Sequence, residues 1–241
     1  MASPKGLIIV CLLHLCIQSI QGNVNTAALA KMIQYFDDNV QPNTKPDAQY
    51  AIAIRVLRAQ CTNESFDIET EFSRGNATNV RDVLNRGEMC VLCTPSENVI
   101  AARPTRKRPK EHAEHRLLYP VGNSPMDKLL KKADKDSCVV FYTYNSPCVK
   151  QCIQSTDNIL PGLSNWINEQ KEAMNVFVFE KIYEKDSKKD MEIYIRKIYA
   201  KVPLYRCTSN NTMEWMNVRI VWTKTVRWIP SVCLKRNDYF S

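Results

Sequence analysis

The sequence predicts an α/β fold, a central mixed β-sheet flanked by helices and stabilised by disulfides. Three observations predict it. The middle of the chain alternates helical and strand periodicities, the order expected of a sheet whose adjacent parallel strands are joined by crossover helices. Its 241 residues, 44% of them hydrophobic, suffice for one core of ordinary size and leave little for a second domain. Ten cysteines, eight of them beyond residue 22, point to an oxidising compartment.

The opening residues, MASPKGLIIVCLLHLCIQSIQG, set Lys5 ahead of an apolar run from Leu7 to Ile17, followed by small and polar residues up to Gly22. Residues 1–22 are therefore expected to be a signal peptide, because the run is shorter than the roughly 20 apolar residues that span a bilayer. A secreted, extracellular protein with no membrane anchor follows. Residues 23–48 are expected to form an N-terminal helical extension, since Ala28, Leu29, Met32, Ile33, Phe36 and Val40 recur at spacings of three and four before Pro42 and Pro46. The main domain, with a C-terminal extension, takes residues 49–241.

YAIAIRVL, residues 50–57, alternates and then turns almost wholly apolar, as a buried strand does. Residues 62–86 are polar and are expected to be a surface excursion leading to a neighbouring strand at 89–94. Sequons make Asn63, Asn76 and Asn210 glycosylation candidates. RPTRKRPK, residues 103–110, is held in a loop by its prolines. It is a solvated surface, a phosphate-attracting rim of a site, or a protease-sensitive basic cluster. EHAEHRLLY and MDKLLKKAD predict helices, and CVVFYTY predicts a strand in which Tyr142 and Tyr144 belong to the core. The stretch after Cys148 predicts a helix stopped by Pro161-Gly162, then a short helix holding Trp166, then the strand VFVFEKIY. MEIYIRKIY fits either period, and MNVRIVW predicts a late strand. With six glycines and no glycine-rich turn, a phosphate-cradling nucleotide fold is not expected. The formal charge of +8 favours acidic partners, among which nucleic acid, sulfated glycans and anionic membrane surfaces are not ranked by charge alone.

Beyond residue 22 the chain has two histidines, His112 and His115, both in EHAEH. His112-Ala-Glu114 on one helix, then a strand, then Pro147-Cys148-x-x-x-Cys152 supply one nitrogen, two sulfurs and a nearby carboxylate. Such a set leaves a fourth metal position open and puts a proton carrier beside it. Cys148 and Cys152 could instead bond to other cysteines. A closed site of His112, His115, Cys148 and Cys152 is a further alternative, structural rather than catalytic. Lys185, Lys188 and Lys189 belong to a solvated turn or to a substrate-contacting loop. Cys90 and Cys93 suit a disulfide framework better than a redox pair or a zinc half-site, because no matching pair follows them.

HAE, followed a few tens of residues later by SPCVKQC, resembles the signature of the zinc-dependent nucleoside and polynucleotide deaminases, in their AID/APOBEC branch. With the leader, the resemblance is closest to the secreted novel AID/APOBEC-like deaminases. It implies a cytidine-deaminase-like fold, zinc (Zn2+) held by His112, Cys148 and Cys152, and Glu114 as general acid/base. It further implies that Ser146 helps seat the base and that Tyr183, in the loop after VFVFEKIY, contacts the flank of the substrate. Asn145 stands where that branch has tryptophan. If zinc takes two cysteines, Cys61, Cys90, Cys93, Cys138, Cys207 and Cys233 remain as disulfide candidates. The function so implied is hydrolytic deamination of cytosine in single-stranded DNA or RNA, or of a free nucleoside. The alternative is a non-catalytic binding protein that keeps the scaffold and a structural zinc and holds an anionic polymer.

Overall fold

The structure, a computed structural model, describes residues 24–45, 47–105 and 110–207, with the backbone of two further strands at 212–215 and 229–232. Helix α1 (Thr26–Asn39) starts where Asn25 Oδ1 accepts the amides of Ala27 and Ala28, and it buries Leu29, Met32, Ile33 and Phe36. Strand β1 (Ala51–Leu57) runs directly into the short helix α2 (Arg58–Thr62), and α3 follows at Arg74–Arg86. Strands β2 (Cys90–Val91) and β3 (Val99–Ala102) form a hairpin ahead of helices α4 (Ala113–Leu118) and α5 (Pro125–Leu130). Then come β4 (Ser137–Asn145), α6 (Leu160–Glu169), β5 (Met174–Lys181), α7 (Met191–Tyr199) and β6 (Leu204–Cys207). β7 (Thr212–Trp215) and β8 (Ile229–Val232) close the series.

The strands make one mixed sheet in the order β2-β3-β1-β4-β5-β6-β7-β8. β4, β5 and β6 are parallel, with α6 and α7 as their crossovers, and the other pairings are antiparallel. β4 is central and is buried along its length up to Asn145, so both its faces must be apolar. Cys138, Val140, Tyr142 and Tyr144 pack with α1 and α3, whereas Val139 and Phe141 pack with α4, α5, α6 and α7. The period of two along one strand thus separates two helical layers.

Four expectations are corrected. The polar span 62–86 contains a 13-residue helix, α3, which buries only Ala77, Val80 and Leu84. Ser73 caps its start, and Gly87 at φ 86°, a conformation glycine adopts without strain, ends it. The span also does not join neighbouring strands, because β3 lies between β1 and β2. The expected strand at 89–94 shrinks to Cys90–Val91, and the alanine-rich β3 carries the pairing to β1. Pro161-Gly162 opens α6 instead of stopping a helix, since proline suits a first turn. A Cβ at Gly162 would lie 2.8 Å from the Cβ of Leu118, so this glycine lets α6 approach α4. MEIYIRKIY resolves as the helix α7. MNVRIVW, residues 216–222, lies outside the described residues.

Two disulfides join candidate cysteines, Cys61 to Cys138 and Cys90 to Cys93. The first ties α2 to the start of β4, and Cys233 lies outside the described residues. Of the basic stretch, residues 106–109 are also outside. Arg103 is buried, donating to the carbonyl of Leu84 at 3.2 Å and to Thr44 Oγ1 at 3.1 Å.

Candidate active site

Two short turns converge at the end of β4. His112 is the residue before α4, in extended conformation, and its side chain makes no helix cap. After Ser146-Pro147 the chain makes one wide helical turn, Val149–Ile153, in which Gln154 N–H reaches back to the carbonyl of Val149 at 3.0 Å. This is shorter than the helix expected up to residue 160. The turn brings both cysteines onto one side, with Sγ atoms 3.6 Å apart, too far for a bond between them. His112 Nδ1 lies 3.6 Å from Cys148 Sγ and 3.2 Å from Cys152 Sγ.

Around a tetrahedral zinc, two sulfur ligands sit about 3.8 Å apart and a sulfur and a nitrogen about 3.5 Å apart. The three observed separations match that triangle to within a few tenths of an ångström. His112, Cys148 and Cys152 are the group among the described residues that could hold a metal ion. Two soft sulfurs and one imidazole favour zinc over magnesium or calcium. Gln151 N–H points at Cys148 Sγ at 3.4 Å, which supports negative charge on that sulfur. Contact with the Cys152 thiol, aided by His112, holds Cys148 down at about 4, while Cys152 is pushed up by the same contact and by burial.

His115 does not join this group. Its Nδ1 faces Glu111 Oε1 at 2.7 Å, its Nε2 faces Asp157 Oδ1 at 2.9 Å, and its ring stacks on Tyr119. The four-ligand closed site is therefore not the arrangement found.

Glu114, on the first turn of α4, is 2% exposed. Its Oε1 accepts from Gln49 Nε2 at 3.3 Å, and its Oε2 has no hydrogen-bond partner among the described residues. Burial pushes its carboxyl up to about 7. A buried polar oxygen without a partner costs about 1–3 kcal/mol.

Ser146 is buried, and its hydroxyl accepts the backbone N–H of Tyr183 at 3.0 Å while its own N–H donates to the carbonyl of Lys181 at 2.7 Å. Asp186, also buried, accepts from Val149 N–H at 2.8 Å and pairs with Lys189. The loop after β5 is thus pinned to the cysteine turn, and Tyr183 sits half-buried at the junction. Lys185 and Lys188 are exposed on it. Sequence reasoning missed Gln49 and Asp186. Asp186 lay within a charged segment, and nothing marks a lone glutamine ahead of a strand.

No helix among the described residues is long and apolar enough to cross a membrane. None of the curated proteins compared matches the chain. Residues 26–222, however, match the family described as Secreted Novel AID/APOBEC-like Deaminase 1. That match takes in most of the chain, all three metal-ligand candidates and Glu114, and on it the chain belongs to the Secreted Novel AID/APOBEC-like Deaminase 1 family.

Proposed function

We propose that this protein is a secreted, zinc-dependent hydrolytic deaminase that converts cytosine to uracil in single-stranded DNA or RNA, or in a free nucleoside. The observation that carries this reading is the buried Glu114, with one oxygen lacking a partner among the described residues, on the helical turn that begins at His112, one of the three candidate ligands. Zinc, held by His112, Cys148 and Cys152, would supply a Lewis acid that makes water nucleophilic at neutral pH. Glu114 takes a proton from the attacking water and delivers one to the amine, which leaves as ammonia as the ring carbon gains its carbonyl oxygen. Ser146 and Tyr183, joined by a hydrogen bond, shape the wall against which the base and its neighbour rest. The two disulfides suit an oxidising exterior, and the exposed Asn63 and half-buried Asn76 are proposed glycan acceptors.

A scaffold kept only for binding gains nothing from a buried carboxylate with an unpaired oxygen, which is why the catalytic reading is preferred to the anionic-polymer binder. The test is release of ammonia from cytidine, adenosine, and cytosine-containing single-stranded DNA and RNA by the secreted protein and by Glu114→Ala. Turnover of a cytosine substrate, lost in Glu114→Ala, is expected. Turnover of adenosine alone would move the substrate to a purine, and zinc with no turnover of any substrate would establish the binding protein.

A further inference from the structure

Gln49 precedes β1 and belongs to neither the ligand set nor the acid/base pair. Its side-chain amide bridges two elements: Nε2 lies 3.3 Å from Glu114 Oε1, and Oε1 lies 2.8 Å from the backbone nitrogen of Asn145. The orientation of that amide is forced. A backbone N–H only donates, so the end of Gln49 that meets Asn145 must be its carbonyl oxygen. The NH2 end is then turned to Glu114, and a donor faces Oε1 whether or not Glu114 carries a proton.

We infer that Gln49 is the positioning residue for Glu114: it fixes Oε1 as an acceptor and confines the exchangeable proton to Oε2. A proton on Oε1 would meet an NH2 group that has no lone pair to receive it. Oε2, which has no partner among the described residues, is left for the reacting water and the amine. The clamp also sets the register of the two halves of the site. Asn145 ends the strand that leads through Ser146 to Cys148, and β1 pairs with that strand from Ala51 opposite Thr143. Gln49 therefore ties the helix bearing Glu114 to the strand that delivers the cysteines. This inference rests on the deaminase reading for its kinetic consequence but not for the hydrogen bond itself.

Two variants and one spectrum test it. Gln49→Met removes donor and acceptor, whereas Gln49→Glu keeps the acceptor for Asn145 and replaces the neutral donor to Glu114 with a second carboxyl facing it. Both are expected to lower kcat for cytidine or a cytosine-containing single-stranded oligonucleotide by about tenfold or more, with KM within about twofold and zinc content unchanged. A Gln49→Met protein as active as wild type would show that the donor to Glu114 is dispensable and overturn the inference. If the wild type turns over neither substrate, the 15N-labelled glutamine side-chain spectrum decides. Two well-separated, slowly exchanging Gln49 amide protons that collapse in Glu114→Ala are expected. Signals identical in wild type and Glu114→Ala would overturn the positioning role whatever the activity.

Discussion

The two faces of the sheet each hold a carboxylic acid against the core, half-buried Asp37 on one and buried Glu114 on the other, and they treat it in opposite ways. On the face covered by α1 and α3, Asp37 Oδ1 accepts from the hydroxyls of Tyr50 and Tyr142, each at 2.9 Å, and Tyr142 lies 3.1 Å from Glu180 Oε2 as well. Tyr142 has one hydroxyl proton for two carboxyl contacts, so one of the two acids must itself donate. Burial, reinforced by the charge of Glu180, accordingly pushes Asp37 well above the usual carboxylate range. On the other face Glu114 is also pushed up by burial, but half of its carboxyl is left unpaired. An acid whose contacts are met is part of the scaffold. One that keeps an oxygen free beside residues able to hold a metal is available for chemistry.

The sharpest way to break this contrast is to neutralise each acid in turn. Glu114→Gln is expected to cost about 10²–10⁴-fold in kcat while the fold survives, because an amide fills the same space without carrying the proton. Asp37→Asn should leave kcat unchanged. Equal losses of activity in the two variants would dissolve the distinction.

The scaffold face also holds the disulfides, since Cys61, Cys138 and Cys90 all pack with α1 and α3. The Cys61–Cys138 bridge spans 77 residues of sequence, and on chain-entropy grounds its replacement by alanines should cost about 4 kcal/mol. The Cys90–Cys93 bridge spans three and should cost about 2 kcal/mol. Urea denaturation measures both, and each double variant should keep its metal content at 25 °C. Loss of metal with the bridge would show that the two faces are not independent.

The smallest effect is one of pH. Asp37 has a folded pKa above its unfolded value of about 3.9, so its contribution to stability is complete below that value and is lost as pH rises through the folded one. Asparagine accepts from both tyrosines and donates to Glu180 without titrating. Stability should therefore fall less between pH 5 and pH 8 in Asp37→Asn than in wild type, with the contribution of Glu114, of the same sign, cancelling in the difference. An identical slope in the two proteins would place the buried proton elsewhere.

How much of this was legible in the sequence followed from how local each signal is. His112, Glu114, Cys148 and Cys152 were legible because rare residue types stand close together on two turns, and the parallel strands because helical and strand periods alternate along the chain. The helix α3 was hidden because only three of its side chains are buried, although Ser73 and Gly87 marked its ends. β3 was hidden because two of its four residues are alanines, which take their place from pairing with β1 and not from propensity. The partnership of Gln49 with Glu114 joins residues 65 apart in sequence, and no periodicity encodes such a contact.

The most direct measurement is the metal content of the secreted protein and four variants, with a mass-spectrometric map of Cys148 and Cys152. One zinc per chain is predicted in wild type, His115→Ala and Glu114→Gln, with loss in His112→Ala and Cys152→Ser and both sulfurs free of disulfide. A folded wild type without zinc, or with Cys148 and Cys152 in disulfides, would contradict the account. So would zinc that depends on His115.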